Sequence, residues 1–261
     1  FKFDKILMDI NSKAYEYIEK SFGRETAIKY KNFTDITPIN YIRVNPLKIN
    51  FNQIKDILFS KYSIEIEQIN NLPNAAKVIS DENNLIGKTL EHTLGFYYIQ
   101  SLSSMLPAFA LNPKENDLVL DLCAAPGSKT TQLSELMNNK GTLIANEIDV
   151  SRIRALVFNI DRLNLINVGV INNKGELLSK IYDNYFDKIL VDAPCSSLGI
   201  IQKRGEVTDW WSIQHSERLH SIQLKLLIGA IKMVKPGGEI VYSTCTLSVE
   251  ENELVLDKVL K

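Results

Sequence analysis

Cysteine is scarce in this 261-residue chain, which holds only Cys123, Cys195 and Cys245. An odd number without closely spaced Cys/His pairs supports neither a disulfide framework nor a zinc site, so no metal is expected. Apolar runs long enough to span a bilayer are missing, and the opening Phe1-Lys2-Phe3-Asp4 lacks the basic-then-apolar pattern of a signal peptide. A cytoplasmic protein without membrane attachment is the expectation. Neither sign of charge prevails, because 30 Lys and Arg face 31 Asp and Glu. That balance removes any whole-chain electrostatic case for a polyanionic partner and leaves only local basic clusters. These are Lys20, Arg24, Lys29 and Lys31, then Arg43 and Lys48, then Lys203-Arg204.

The 45% hydrophobic and 23% charged content is that of an ordinary globular chain, long enough for one α/β domain and a small appendage. The missing initiator Met and the end after a charged helical run lead us to expect a longer natural chain. The first part mixes helical spacing at Ile6-Leu7-Ile10, a strand at Tyr41-Ile42-Arg43-Val44 and a helix near Ile54–Leu58. A helix is expected over Tyr98–Leu111. From Leu118 onward strands and helices alternate, the pattern of a doubly wound parallel sheet. The expected strands are Leu118–Leu122, Thr142–Asn146, Val168–Ile171, Lys188–Val191 and Glu239–Tyr242. Between them the spacing predicts helices at Thr130–Met137, Ser151–Leu163 and Glu217–Val234, the last ended by Pro236-Gly237-Gly238.

In such sheets a ligand sits beyond the carboxyl ends of the strands. The first strand-to-helix turn reads Asp121-Leu122-Cys123-Ala124-Ala125-Pro126-Gly127-Ser128-Lys129-Thr130. Its small residues permit close approach, and free amides at a helix start favour a small anion. Ser128 separates Gly127 from Lys129, so the loop is no P-loop, and one glycine does not make a dinucleotide fingerprint. Glu147 ends the next strand, where a carboxylate can accept ribose hydroxyls. A nucleoside with a carboxylate and no phosphate matches this pattern, which points to S-adenosylmethionine.

The fourth strand ends in Asp192-Ala193-Pro194-Cys195-Ser196 and the fifth in Ser243-Thr244-Cys245-Thr246. Two thiols at two strand ends suit carbon-5 methylation of cytosine, a carbon too electron-poor to attack a methyl sulfonium unaided. A thiolate adding to carbon 6 makes carbon 5 nucleophilic, and a nearby acid such as Asp192 can manage the proton at ring nitrogen 3. A second thiol can assist release. Residue types alone do not say which cysteine attacks.

These three segments, with Arg43-Val44-Asn45, the Gly95–Ser104 stretch holding Gln100, Pro236-Gly237-Gly238 and Glu250-Glu251-Asn252-Glu253, resemble the motifs of the Nop/Sun family of RNA cytosine-5 methyltransferases. The resemblance runs from about Arg43 to Glu253. It implies Cys245 as nucleophile, Cys195 in product release and Asp192 against base and cofactor; DNA cytosine-5 methyltransferases, which attack from a Pro-Cys motif, would assign Cys195 instead. It implies cofactor contacts from Cys123, Ala124, Ala125, Pro126, Gly127, Ser128, Lys129, Glu147 and Asp192. RNA, ribosomal or transfer, is the implied partner, with Arg43 binding it; Lys203 and Arg204 are expected phosphate contacts from the residues themselves, the alternative being a solvated face, and a monomer is expected. Residues 1–85 then form a small α+β RNA-guiding domain and 86–261 an S-adenosylmethionine-dependent methyltransferase domain, C-terminally incomplete. The chain departs from the family at Asn173-Lys174-Gly175, where an acidic adenine-side contact is usual, and at Ser128, where a second glycine is usual.

Trp210 and Trp211 are candidates for base stacking, or one of them for the core. His215 and His220 read as helix-surface residues. Two rival functions remain: a methyltransferase acting on nitrogen or oxygen, which needs no thiol, and a catalytically silent RNA-binding module.

Overall fold

A computed structural model describes residues 12–201 and 211–261. Ile6-Leu7-Ile10, Lys203, Arg204 and Trp210 lie outside the described residues. The chain forms two compact units, one of residues 39–193 and 226–243, the other of residues up to Pro38, 194–225 and 244–261.

The larger unit is α/β and carries two sheets. Strands β1 (Tyr41–Val44), β2 (Glu65–Gln68), β3 (Ala75–Ser80) and β4 (Tyr97–Ile99) make an antiparallel sheet ordered β2-β3-β1-β4. Helix α3 (Phe51–Tyr62) packs Ile54 and Leu58 against its Ile42, Val44 and Ile66. A reciprocal Asn50/Gln53 capping box starts that helix by satisfying two otherwise unpaired amides. The expected domain boundary at residue 85 falls between β3 and β4 of this one sheet.

The second sheet is parallel, ordered β7-β6-β5-β8-β9, from β5 (Leu118–Asp121), β6 (Thr142–Asn146), β7 (Val168–Ile171), β8 (Phe186–Asp192) and β9 (Val234–Ser243). Alternation along its strands feeds two cores, as period-two geometry requires. Leu120, Ile189 and Val191 pack with Leu226, Ala230 and Met233 of the helix Ile213–Met233. On the opposite side, Val119 and Leu190 meet Ala108 and Leu111 of α5 (Leu102–Leu111, after the short α4, Leu90–Thr93) and Leu133 of α6 (Ser128–Leu136). α7 (Val150–Leu163) adds Leu156 and Ile160. The order doubles back at β5, the switch point where ligands bind in open α/β sheets.

Two expected elements are corrected. Tyr98 and Ile99 are not helical, because Tyr97, Tyr98 and Ile99 pair with Val44, Arg43 and Ile42, and the helix begins only at Leu102. The long helix, α8, runs over Ile213–Met233 against the expected Glu217–Val234, and Pro236-Gly237-Gly238 is not what ends it. Register jumps from Phe186↔Val234 to Lys188↔Glu239, so Pro236-Gly237-Gly238 bulges out of β9.

In the smaller unit, α1 (Ser12–Phe22) and α2 (Arg24–Thr34) pack Ala14, Ile18, Ala27 and Tyr30 against Leu198, Ile201 and Trp211. Trp211 is therefore a core residue. Tyr17 Oη donates to Glu250 at 2.6 Å and Tyr30 Oη to the Leu198 carbonyl at 2.9 Å, tying the helices to the segments after both cysteines. Helix α9 (Glu253–Leu260) follows. No described helix is long and apolar enough to cross a membrane.

Candidate active site

Within the larger unit, the expected cofactor residues gather at the carboxyl ends of β5, β6 and β8. Gly127 turns the chain into α6 with φ of 105°, a conformation L side chains rarely adopt. No side chain caps that helix, leaving the first-turn amides to serve an anion. Beneath the loop, Asp121 Oδ2 accepts from Thr130 Oγ1 at 2.7 Å, and burial pushes its carboxyl up to about 7. Loss of solvent also pushes the Cys123 thiol upward, reinforced by the negative charges of Asp121, Asp192 and Glu147, which makes it a poor nucleophile.

Glu147 is only 2% exposed. Its oxygens accept from the amides of Ala125 at 3.2 Å and Asp149 at 3.0 Å, so it braces the loop from below. Each carboxylate oxygen carries a second lone pair, so this bracing does not exhaust its acceptor capacity. Asp192 pairs with Lys129 Nζ at 2.6 Å and accepts from Ser243 Oγ at 2.8 Å. A donor-rich loop, a carboxylate at the end of β6 and an acid at the end of β8 fit an amino-acid-bearing nucleoside. Sequence reasoning missed Arg152, which pairs with Glu147 at 3.4 Å and donates to the Ala125 carbonyl, and Asn172, which donates to the carbonyls of Glu147 and Ile148. Arg152 lies in the first turn of α7, a place from which a side chain can reach the preceding loop; Asn172 gave no signal.

Arg43 is a correction. Expected to bind RNA, it is 1% exposed and spent on partners inside the larger unit. Its guanidinium pairs with both oxygens of Glu135 at 2.8 and 3.0 Å and donates to Thr131 Oγ1, the Ser128 carbonyl and Gln100. It fastens β1 to α6 behind the loop and has no donor to spare for a phosphate.

The smaller unit brings the other two cysteines together. Cys195 Sγ and Cys245 Sγ stand 2.8 Å apart, and the Cys245 amide donates to Cys195 Sγ at 3.1 Å. Ser197 Oγ lies 3.3 Å from Cys245 Sγ, and the Gly199 amide donates to the Cys245 carbonyl at 2.9 Å. The hydrogen bond with Cys245, helped by burial, pushes the Cys195 thiol well above its usual range. Two thiols this close can share one proton, either sulfur acting as its donor. His220 contacts the Glu250 carbonyl at 2.6 Å, a structural role.

Residues 108–261, more than half of the chain, match the family described as 16S rRNA methyltransferase RsmB/F. The chain is 39% identical to a tRNA (cytosine(49)-C(5))-methyltransferase of Pyrococcus abyssi over 84% of its own length and 70% of the relative's. It is 44% identical to a ribosomal RNA small subunit methyltransferase F of Aeromonas salmonicida, over 70% of this chain but 39% of that one. The solved NSun6 from Pyrococcus horikoshii with SFG superposes with a TM-score of 0.86 at 26% identity, covering 95% of this chain and 86% of that one. The chain therefore spans most of the archaeal proteins and well under half of the bacterial one. A parallel sheet with a donor-rich first loop, paired thiols after the fourth and fifth strands, and these similarities together establish that the chain belongs to the RsmB/F family of methyltransferases.

Proposed function

We propose that this chain is an RNA (cytosine-5)-methyltransferase that uses S-adenosylmethionine and works through a covalent adduct on Cys245. The observation carrying this reading is the pair of thiols 2.8 Å apart at the ends of two neighbouring strands of the parallel sheet. A methyltransferase acting on nitrogen or oxygen has no use for such a pair. The Pyrococcus abyssi relative, a tRNA cytosine-C(5) methyltransferase, supports the base, and the Aeromonas salmonicida relative, a ribosomal RNA methyltransferase, leaves either RNA as substrate. SFG, an analogue of S-adenosylmethionine, in the NSun6 structure supports the cofactor.

The loop Cys123–Lys129 and Glu147 would hold the cofactor, the first-turn amides of α6 taking its carboxylate and Glu147 its ribose. When bound, it supplies an electrophilic methyl group. Cys245 adds to carbon 6 of the cytosine, forming the sulfur–carbon bond that makes carbon 5 nucleophilic. Asp192, oriented by Lys129 and Ser243, manages the proton at ring nitrogen 3 and lowers the cost of that addition. Once carbon 5 is methylated its proton is lost to solvent, the bond to carbon 6 breaks, and the electron pair returns to the Cys245 sulfur. A proton on Cys195, 2.8 Å from that sulfur, stabilises the departing thiolate.

The target cytosine must be unpaired or flipped, since a stacked base cannot be reached on both faces. Residues 1–85 guide the RNA in this reading and Lys203 and Arg204 contact its phosphates, whereas Arg43 supports the fold. The test is to incubate Cys195→Ala protein with radiolabelled cofactor and unmodified RNA and run denaturing gels. A protein–RNA adduct that vanishes in the Cys195→Ala/Cys245→Ala protein is expected. Parent protein that methylates RNA while Cys195→Ala forms no adduct would refute the cysteine roles.

A further inference from the structure

Three neighbouring side chains hold the residues on both sides of each thiol. Gln223 Nε2 donates to the Pro194 carbonyl at 2.8 Å and to Glu251 Oε2 at 2.9 Å, and the same Glu251 oxygen accepts the Ser196 amide at 2.9 Å. Pro194 and Ser196 flank Cys195. The next residue, Asn252, holds the residues on either side of Cys245 through a side chain and a carbonyl one peptide further on. Its Oδ1 accepts from Thr244 Oγ1 at 2.7 Å, and its Nδ2 donates to the carbonyls of Thr246 at 3.2 Å and Ser248 at 2.9 Å. Thr244 and Thr246 flank Cys245.

Glu251 and Gln223 are both fully buried. Burying a carboxylate is expensive, and an apolar side chain would close two loops together at less cost. What an apolar residue cannot do is place hydrogen-bond acceptors and donors against the two peptides that set the direction of one Cα–Cβ bond. A cross-link between the loops, Ser196 Oγ to Thr246 Oγ1 at 2.9 Å, keeps the two clasps in step, and Trp211 Nε1 donates to the same Ser196 Oγ at 3.1 Å.

We infer that Gln223, Glu251 and Asn252 are positioning residues with divided duties, the Gln223–Glu251 pair aiming the release thiol Cys195 and Asn252 aiming the nucleophile Cys245. This rests on the cysteine roles proposed above. Loosening the first clasp should therefore imitate loss of Cys195, and loosening the second should imitate partial loss of Cys245, although residues 251 and 252 are adjacent.

The experiment compares Gln223→Ala, Glu251→Ala, Asn252→Ala and Thr244→Val in single-turnover and steady-state assays with radiolabelled cofactor and methyl-free RNA, using denaturing gels to quantify adduct. Gln223→Ala and Glu251→Ala should accumulate the covalent adduct and slow steady-state turnover, with adduct formation kept within about threefold of the parent. Asn252→Ala and Thr244→Val should slow adduct formation by up to about a hundredfold, the cost of an ångström-scale misplacement, with none accumulating. Cofactor binding and thermal melts identify variants that fail to fold, and each duty is carried by two independent variants. If all four variants lose turnover alike, without the split in adduct, or none changes it, the inference is overturned. Adduct in the Cys195→Ala control separates that failure from failure of the cysteine roles; its absence would remove the roles and the inference together.

Discussion

Asp121 sets up a stability test whose sign depends on pH. Its carboxyl is fully buried and shifted from 3.8 up to about 7, with burial the leading cause and the charge of Asp192 adding to it. In the unfolded chain the group titrates near its ordinary value. Between the two values the folded state holds a proton that the unfolded state has lost, so stability falls as pH rises through this window and is level above it. At about 1.4 kcal/mol per pH unit, roughly 1.5 kcal/mol is lost by pH 5 and roughly 4 kcal/mol by pH 8. Asp121→Asn removes the titration while its amide oxygen can still accept from Thr130 Oγ1. The amide nitrogen brought into the site costs about 1–3 kcal/mol at every pH if it finds no acceptor. The variant should therefore gain on the parent by about 3 kcal/mol between pH 5 and pH 8, whatever its offset. Urea unfolding followed by far-ultraviolet circular dichroism at the two pH values, without cofactor, measures the difference. A stability gap between variant and parent that does not move with pH would refute the reasoning.

Arg43→Ala leaves Glu135 buried without its partner and should destabilise the protein by about 3–5 kcal/mol in the same unfolding assay, with Arg43→Lys a poor substitute because the fork of donors is lost. Asp192→Asn should lower turnover by about a hundredfold with a much smaller change in cofactor affinity by calorimetry, because it alters an acid–base group. Gly95→Ala should fail to reach wild-type stability in thermal melts, since φ is 71° there and an added Cβ would lie 2.2 Å from the Arg162 carbonyl oxygen.

The parallel sheet was legible because its strands are buried apolar runs separated by amphipathic helices; the expected Thr142–Asn146 is β6 itself. β2 escaped because Glu65-Ile66-Glu67-Gln68 buries one side chain among polar ones. Tyr98 was misread because aromatic residues beside a helical run carry no mark of the strand they join, a pairing made with residues more than fifty positions earlier. The strand-to-helix turn after β5 and the two strand-end thiols could be read from local motifs, since each motif is continuous in sequence. Arg43 could not be read correctly, because its fate depends on Ser128, Thr131 and Glu135, which lie 85 to 92 positions away. The clasps around the thiols were hidden for the same reason: Gln223 looks like one more polar residue on a long helix.

The interleaving of the smaller unit bears on how the protein is made. Tyr17 and Glu250, partners in the structure, are 233 positions apart. Synthesis runs from the amino terminus, so the larger unit has all its strands once Ser243 has emerged, whereas Cys245, Glu251 and Asn252 come only afterwards. Closing so long a loop is slow compared with local helix formation. A nascent chain can therefore complete its parallel sheet while Cys195 is still without Cys245, and the thiols meet only when residues 244–252 dock against residues made more than two hundred positions earlier.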